Sequence, residues 1–125
     1  LAQIMNMNKN YEQGREYARK AYALDKSNGR PFIIIGQLYA ASAKDCGSGN
    51  FYSKTAYWAA VDQFEKAKAV DPSIAKKANE LINTYVHYFP AIEDIFFNGF
   101  EVGQDFTLDE CWINETTKVR AAKTN

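Results

Sequence analysis

Apolar residues recur at helical intervals through most of the chain. In GRPFIIIGQLYA, residues 29–40, Phe32, Ile35, Gly36 and Tyr39 follow one another at steps of three, one and three, which is one face of a helix. A run of β-branched residues ending in glycine also fits a buried strand closed by a turn. A helix needs a reason for Gly36, because glycine inside a helix costs about 1 kcal/mol relative to alanine. Recurrence of the pattern elsewhere supplies that reason.

The pattern does recur, at an offset of 46 residues. Gly14, Ala18, Ala21 and Lys26 have the spacing of Ala60, Phe64, Ala67 and Pro72, and Phe32, Ile35, Gly36 and Tyr39 that of Ala78, Leu81, Ile82 and Tyr85. Small and aromatic residues at steps of four and three make a helix face that packs closely on a neighbour. Asp71-Pro72-Ser73 ends one helix and starts another, with proline early in the turn and serine available as a cap. Lys26-Ser27-Asn28 does the same with weaker punctuation. These signals predict helices over about 2–8, 11–25, 30–44, 51–70, 74–88 and 91–97, the last ended by Asn98-Gly99. A tight hairpin at Asn98-Gly99, between IFF and FEV, is the second choice.

After Gly99 the texture changes to Thr, Val, Ile, Phe and Trp with turn residues between. Residues 102–105 read as a turn, Phe106–Ile113 as a strand, 114–116 as a turn and Thr117–Ala122 as a returning strand. Two strands alone are marginal in water, so the hairpin is expected to pack on the last helices through Phe106, Leu108, Trp112 and Val119.

The quoted pattern resembles the tetratricopeptide repeat (TPR). Phe32, Ile35-Gly36 and Tyr39 match the first helix of that motif, and Ala60, Phe64, Ala67 and Pro72 match its second helix and closing proline. The resemblance implies antiparallel helix pairs, with Gly36 at the closest approach within a pair. It covers roughly residues 1–89: a partial repeat over 1–28, a full one over 29–73 and a partial one over 74–89. The family period is about 34 residues. The extra twelve residues here lie between Tyr39 and Ala60, with a loop at 45–50 and both helices lengthened. Ala78 and Ile82, replacing the bulky residue and the glycine, imply a looser third pair. Residues 90–125 then form a cap, since the last repeat of a solenoid leaves an apolar face open. The expected fold class is mostly α: a right-handed superhelix of antiparallel pairs with a short C-terminal β-hairpin. With GRPFIIIGQLYAAS, YWAAVDQFEKAKAVDPS, YFP and CWINETTKVR, nearly the whole chain resembles the C-terminal region of large repeat proteins from Bacteroidetes-type bacteria. That likeness implies the periplasm or cell envelope, and it says little about activity.

Charge and composition narrow the partner. Fifteen basic and fifteen acidic residues cancel, which removes the electrostatic case for nucleic acid. No apolar stretch approaches the roughly 18 residues of a membrane span. The start, LAQIMNMNKN, has no initiator Met, basic start or signal core, as expected of a piece cut from a longer protein. Cys46 and Cys111 are either two buried thiols or one long-range disulfide, the latter requiring an oxidising compartment.

Candidate chemistry is sparse. His87 is the single histidine and has no carboxylate at pairing distance in sequence. Glu93-Asp94, Asp109-Glu110 and Glu115 sit at helix starts and turns, where carboxylates are solvated or favour the helix dipole, rather than as a separated pair in a pocket. GSG at 47–49 lacks the Lys-Ser/Thr of a phosphate loop. Asn114-Glu115-Thr116 matches the N-glycosylation pattern and also a plain turn, which is preferred. Lys66, Lys68, Lys76 and Lys77 interleave with Asp62, Glu65 and Asp71 as a solvated surface. The TPR resemblance implies a concave groove lined by the first helix of each pair. There it places Arg30, Ile33, Gln37 and Ala41 on one helix and Lys76, Asn79, Asn83 and His87 on the other. The function expected is therefore non-enzymatic and without a cofactor: binding of a protein or peptide at the end of a longer helical scaffold. A purely structural cap is the alternative.

Overall fold

The computed structural model describes residues 10–47, 49–109 and 111–123, so the helix expected at 2–8 lies outside the described residues. The described residues are mostly helical (66%) with one small antiparallel sheet. Among the described residues five α-helices follow in order: α1 (Tyr11–Leu24), α2 (Arg30–Ala41), α3 (Gly49–Val70), α4 (Ala75–Tyr85) and α5 (Ile92–Phe97). Short 3₁₀ turns, Ala43–Asp45, Pro72–Ile74 and Val86–Tyr88, fill the ends of the longer helices. Strands β1 (Asp105–Thr107) and β2 (Thr116–Lys118) pair antiparallel, with Phe106 opposite Thr117.

Successive helices run antiparallel. Tyr22 meets Phe32 at 4.7 Å between α1 and α2, and a β-carbon on Gly14, near the start of α1, would lie 3.1 Å from Leu38 near the end of α2. Between α3 and α4, Lys68 bonds Asn79 while Phe64 stacks on Tyr85 at 5.9 Å. The core lies among α2, α3 and α4, where Ile35, Tyr39, Trp58, Ala60, Phe64, Ala67 and Ala78 are all buried. Of the other residues expected at packing positions, Phe32, Leu81 and Tyr85 are half-buried at the edge of this core, and Pro72 is exposed at the corner after α3.

Gly36 packs against the ring of Phe64, and an added β-carbon would sit 2.5 Å from Phe64 Cε1. The close approach expected at this glycine is thus filled by an aromatic face. Gly29 is the tighter position. Its β-carbon would strike the Ala67 carbonyl oxygen and lie 2.8 Å from Asp71 Cβ, and backbone cannot give way as a side-chain tip can.

The corners after α1 and after α3 are built alike. Asp25 accepts from Ser27 N–H at 3.1 Å and from the Ser27 hydroxyl at 2.7 Å. Asp71 accepts from Ser73 N–H at 3.1 Å and its hydroxyl at 2.5 Å. Both aspartates are extended, φ −152° and −142°. Side-chain capping of turn N–H groups explains the choice of Asp and Ser. Asp71 also accepts the Gly29 N–H at 3.0 Å, tying the start of α2 to the end of α3. This bond, then the Ser73 hydroxyl, holds the Asp71 carboxyl below its ordinary value of 3.8. A depressed carboxylate contributes stability above its unfolded pKa and loses it as pH falls through the folded value. Asp71→Asn should therefore show a smaller loss of thermal midpoint than wild type on acidification from pH 5 through pH 3. Parallel acid titrations of the two proteins would contradict this tie.

Several boundaries differ from the pattern. α2 stops at Ala41, and the expected helix to 44 becomes a 3₁₀ turn. The extra length goes instead into α3, which has 22 residues. The strand expected over 106–113 shortens to Asp105–Thr107, and that over 117–122 to Thr116–Lys118. After Leu108 the chain leaves the ladder to join Cys111 to Cys46 in a disulfide, with a Cα–Cα separation of 4.8 Å. Asn114, at φ 46°, turns it back. The tail packs on more than the last helices: its end meets the segment after α4, where Ala122 and Lys123 N–H donate to the Pro90 and Val86 carbonyls at 2.9 and 3.1 Å, and before that it crosses α1, α2 and α3. Arg15 of α1 donates to the Ile113 and Trp112 carbonyls at 2.7 and 3.2 Å. The buried Tyr39 hydroxyl donates to Glu115, and burial followed by that bond pushes its pKa up. Trp58 donates to the Arg120 carbonyl at 2.8 Å, and Arg120 pairs with Asp62 at 2.9 Å. Of the expected anchors, Leu108 and Val119 are buried, Phe106 meets Trp58 edge-on at 5.6 Å, and Trp112 stacks on Tyr11 at 5.3 Å.

Candidate functional site

α2 and α4 both run antiparallel to α3, so they are parallel to each other. Both pack on α3 and leave a furrow between them. At the end where α2 and α4 begin, this furrow opens into a cavity of about 370 Å³ lined by Arg30, Ile33, Ile34, Gln37, Ile74 and Lys77. Three isoleucines supply an apolar floor and two cations flank it. Ile33 is buried and Ile34 is 37% exposed, because successive residues on α2 turn by about 100° and only one can face the core.

Three of the residues expected in a groove, Arg30, Ile33 and Gln37, line this cavity together. Ala41 is exposed further along α2. The α4 set lies elsewhere. Ala78, Leu81 and Tyr85 turn into the core, and that rotation brings Lys77, not Lys76, beside α2. Lys76 and Asn83 are exposed outside the cavity lining, and Asn79 faces α3, where its side-chain oxygen accepts from Lys68 at 2.9 Å. Ile74 and Lys77 are the lining residues the spacing missed. The available signal was the alignment of Ala78 with Phe32 at the 46-residue offset, which marks Ala78 as a core-facing position.

At the opposite end of the furrow, a second cavity of about 330 Å³ is lined by Ala43, Lys44, Ser53, Lys54, Tyr57, His87 and Tyr88. His87 is here, with Nδ1 2.8 Å from the Lys123 carbonyl. A carbonyl only accepts, so Nδ1 carries the proton of that contact. Tyr57 stacks on Tyr85 at 5.6 Å and meets Tyr88 edge-on at 5.6 Å. Burial, then these two neighbours, raise the Tyr57 pKa.

Neither cavity is lined by a carboxylate, and among the described residues no group of three His, Cys, Asp or Glu could hold a metal ion. Asp71 lies close enough to Arg30 to feel its charge. Lys77, Lys44 and Lys54 form no ion pair among the described residues. The arrangement offers apolar and aromatic surface beside cations, which suits an apolar segment carrying carboxylates. No helix is long and apolar enough to cross a membrane among the described residues. No protein-family model matches the chain, and no curated protein or solved structure matches it either.

Proposed function

We propose that the chain is the end portion of a TPR-like helical array that binds an extended, acidic and partly apolar peptide segment in the furrow between α2 and α4. The observation that carries this reading is the cavity of Arg30, Ile33, Ile34, Gln37, Ile74 and Lys77, apolar below and cationic at its rim. Antiparallel helix pairs and the matched Asp25–Ser27 and Asp71–Ser73 corners support a repeat architecture. The Cys46–Cys111 bridge supports an oxidising compartment, in keeping with the periplasm or cell envelope.

Selection from a random peptide display library tests the reading. The wild-type chain should enrich peptides with Phe, Leu or Ile beside Asp or Glu. Lys77→Glu should bind them at least about tenfold more weakly, the scale of a lost charge pair at an interface. Absence of enrichment, or equal binding by the variant, would discard the furrow as a peptide site. The second reading, a structural cap without a ligand, would then stand. It is favoured by how firmly the tail is fastened through Arg15, Glu115 and Arg120.

A further inference from the structure

Charge is unevenly spread in a chain whose total is zero. Between Lys77 and Lys118 the sequence holds eight carboxylates and neither lysine nor arginine. The centre of that acidic stretch carries the largest exposed apolar side chains. On α5, Phe96 is 61% and Phe97 89% exposed, with Ile92 and Val102 partly exposed beside them. Only Ile95 of this helix is buried. Glu93 and Asp94 lie about one helical turn before the phenylalanines and Glu101 four residues after Phe97; all three are exposed and form no ion pair among the described residues. Two adjacent phenylalanines held outward are uncommon on a surface without a partner.

The furrow between α2 and α4 has the complementary character: concave, isoleucine-floored and cationic, where the α5 corner is convex, aromatic and acidic. We propose that this furrow takes the α5 corner of a second copy of the chain. Phe96 and Phe97 would seat among Ile33, Ile34 and Ile74, and Glu93, Asp94 and Glu101 would face Lys77 and Arg30. The proposal rests on the furrow being a binding site, as argued above, and names its occupant. The two surfaces are different patches of one molecule, so the contact is heterologous: each copy offers a knob to one neighbour and a furrow to another. Burying two phenylalanines, on the order of 200 Å² each, gives an interface at the small, transient end of the range. Salt should weaken it, because the carboxylate–cation contacts lie at its rim.

Two variants expose the geometry. Phe96→Ser/Phe97→Ser removes the knob and keeps the furrow; Ile34→Ser/Lys77→Glu does the reverse. All four positions are exposed, and circular dichroism should show both variants folded as wild type. In sedimentation velocity over a series reaching on the order of 1 mM, the regime of small interfaces, wild type should grow in mass with concentration. Each variant alone should stay monomeric. An equimolar mixture should form a dimer and nothing larger, because only one knob and one furrow remain. A monomeric wild type, a mixture that stays monomeric, or a furrow variant that associates like wild type would each overturn the proposal. If the peptide selection succeeds while wild type stays monomeric, the furrow stands and its occupancy by a second copy falls. If both fail, the furrow reading itself falls.

Discussion

Phe64→Ala is expected to lower stability by about 3–5 kcal/mol, the range for deleting a buried aromatic side chain. Phe64 lies at the crossing of three helices, fully buried, with Gly36 of α2 on one side and the Tyr85 ring of α4 stacked at 5.9 Å on the other. Neither neighbour can collapse into the space. Gly36 has no side chain, and Tyr85 is held by Tyr57 at 5.6 Å, so the cavity term adds to the transfer term. The complementary change fills the site. Gly36→Ala would bring a methyl to 2.5 Å from the Phe64 ring. Overpacking costs about 1–3 kcal/mol, while alanine gains about 1 kcal/mol of helix propensity. The clash wins, with a net loss of about 1 kcal/mol. In a Gly36→Ala/Phe64→Leu cycle the losses should be less than additive, because the smaller side chain makes room for the methyl. Urea denaturation of the four proteins measures this; strictly additive losses would show that the two residues do not share the space.

Cys46→Ser/Cys111→Ser is expected to cost about 4 kcal/mol by the chain-entropy relation for the loop this bridge closes, whose ends are 65 residues apart in sequence. With a urea dependence of about 2 kcal/mol/M, the midpoint would fall by about 2 M. The loss should also be local. The bridge pins the tail beside Trp112, whose indole donates to the Ser42 hydroxyl at 2.8 Å and stacks on Tyr11. Hydrogen exchange should accelerate first in residues 111–119, before α3. An unchanged urea midpoint in the double variant would mean that the polar tail contacts through Arg15 and Arg120 already supply the closure.

The helices were legible in the sequence because each depends on local periodicity, while their antiparallel pairing was only implied by the TPR resemblance. Spacing put Gly36, Phe64 and Tyr39 on helix faces and the TPR resemblance put Gly36 at a close approach, while Asp71-Pro72-Ser73 was placed by its turn chemistry. Gly29 was not singled out, because its importance comes from the Ala67 carbonyl and Asp71, more than thirty-five residues away. The furrow was half legible. Its α2 side was implied by the TPR resemblance, but a single residue of helical phase separates Lys77 from Lys76, and the burial of Ala78 decides which one turns toward α2.

The tail was the least legible. Its alternation of Phe, Thr and Val pointed correctly to two antiparallel strands, and turn residues located the reversal. The strands are shorter because Cys111, Trp112 and Glu115 are drawn to Cys46, Ser42 and Tyr39, partners on other elements that local propensity cannot see. By itself the sequence determined which segments are helical, where they turn, and which faces are apolar, since these follow from neighbours within a few residues. Only the tertiary structure decided the rotation of each helix about its axis, the path of the tail across α1 to α3, and the gathering of cations and isoleucines between α2 and α4. Those depend on contacts between residues far apart in the chain, whose free energy is set by the packed whole.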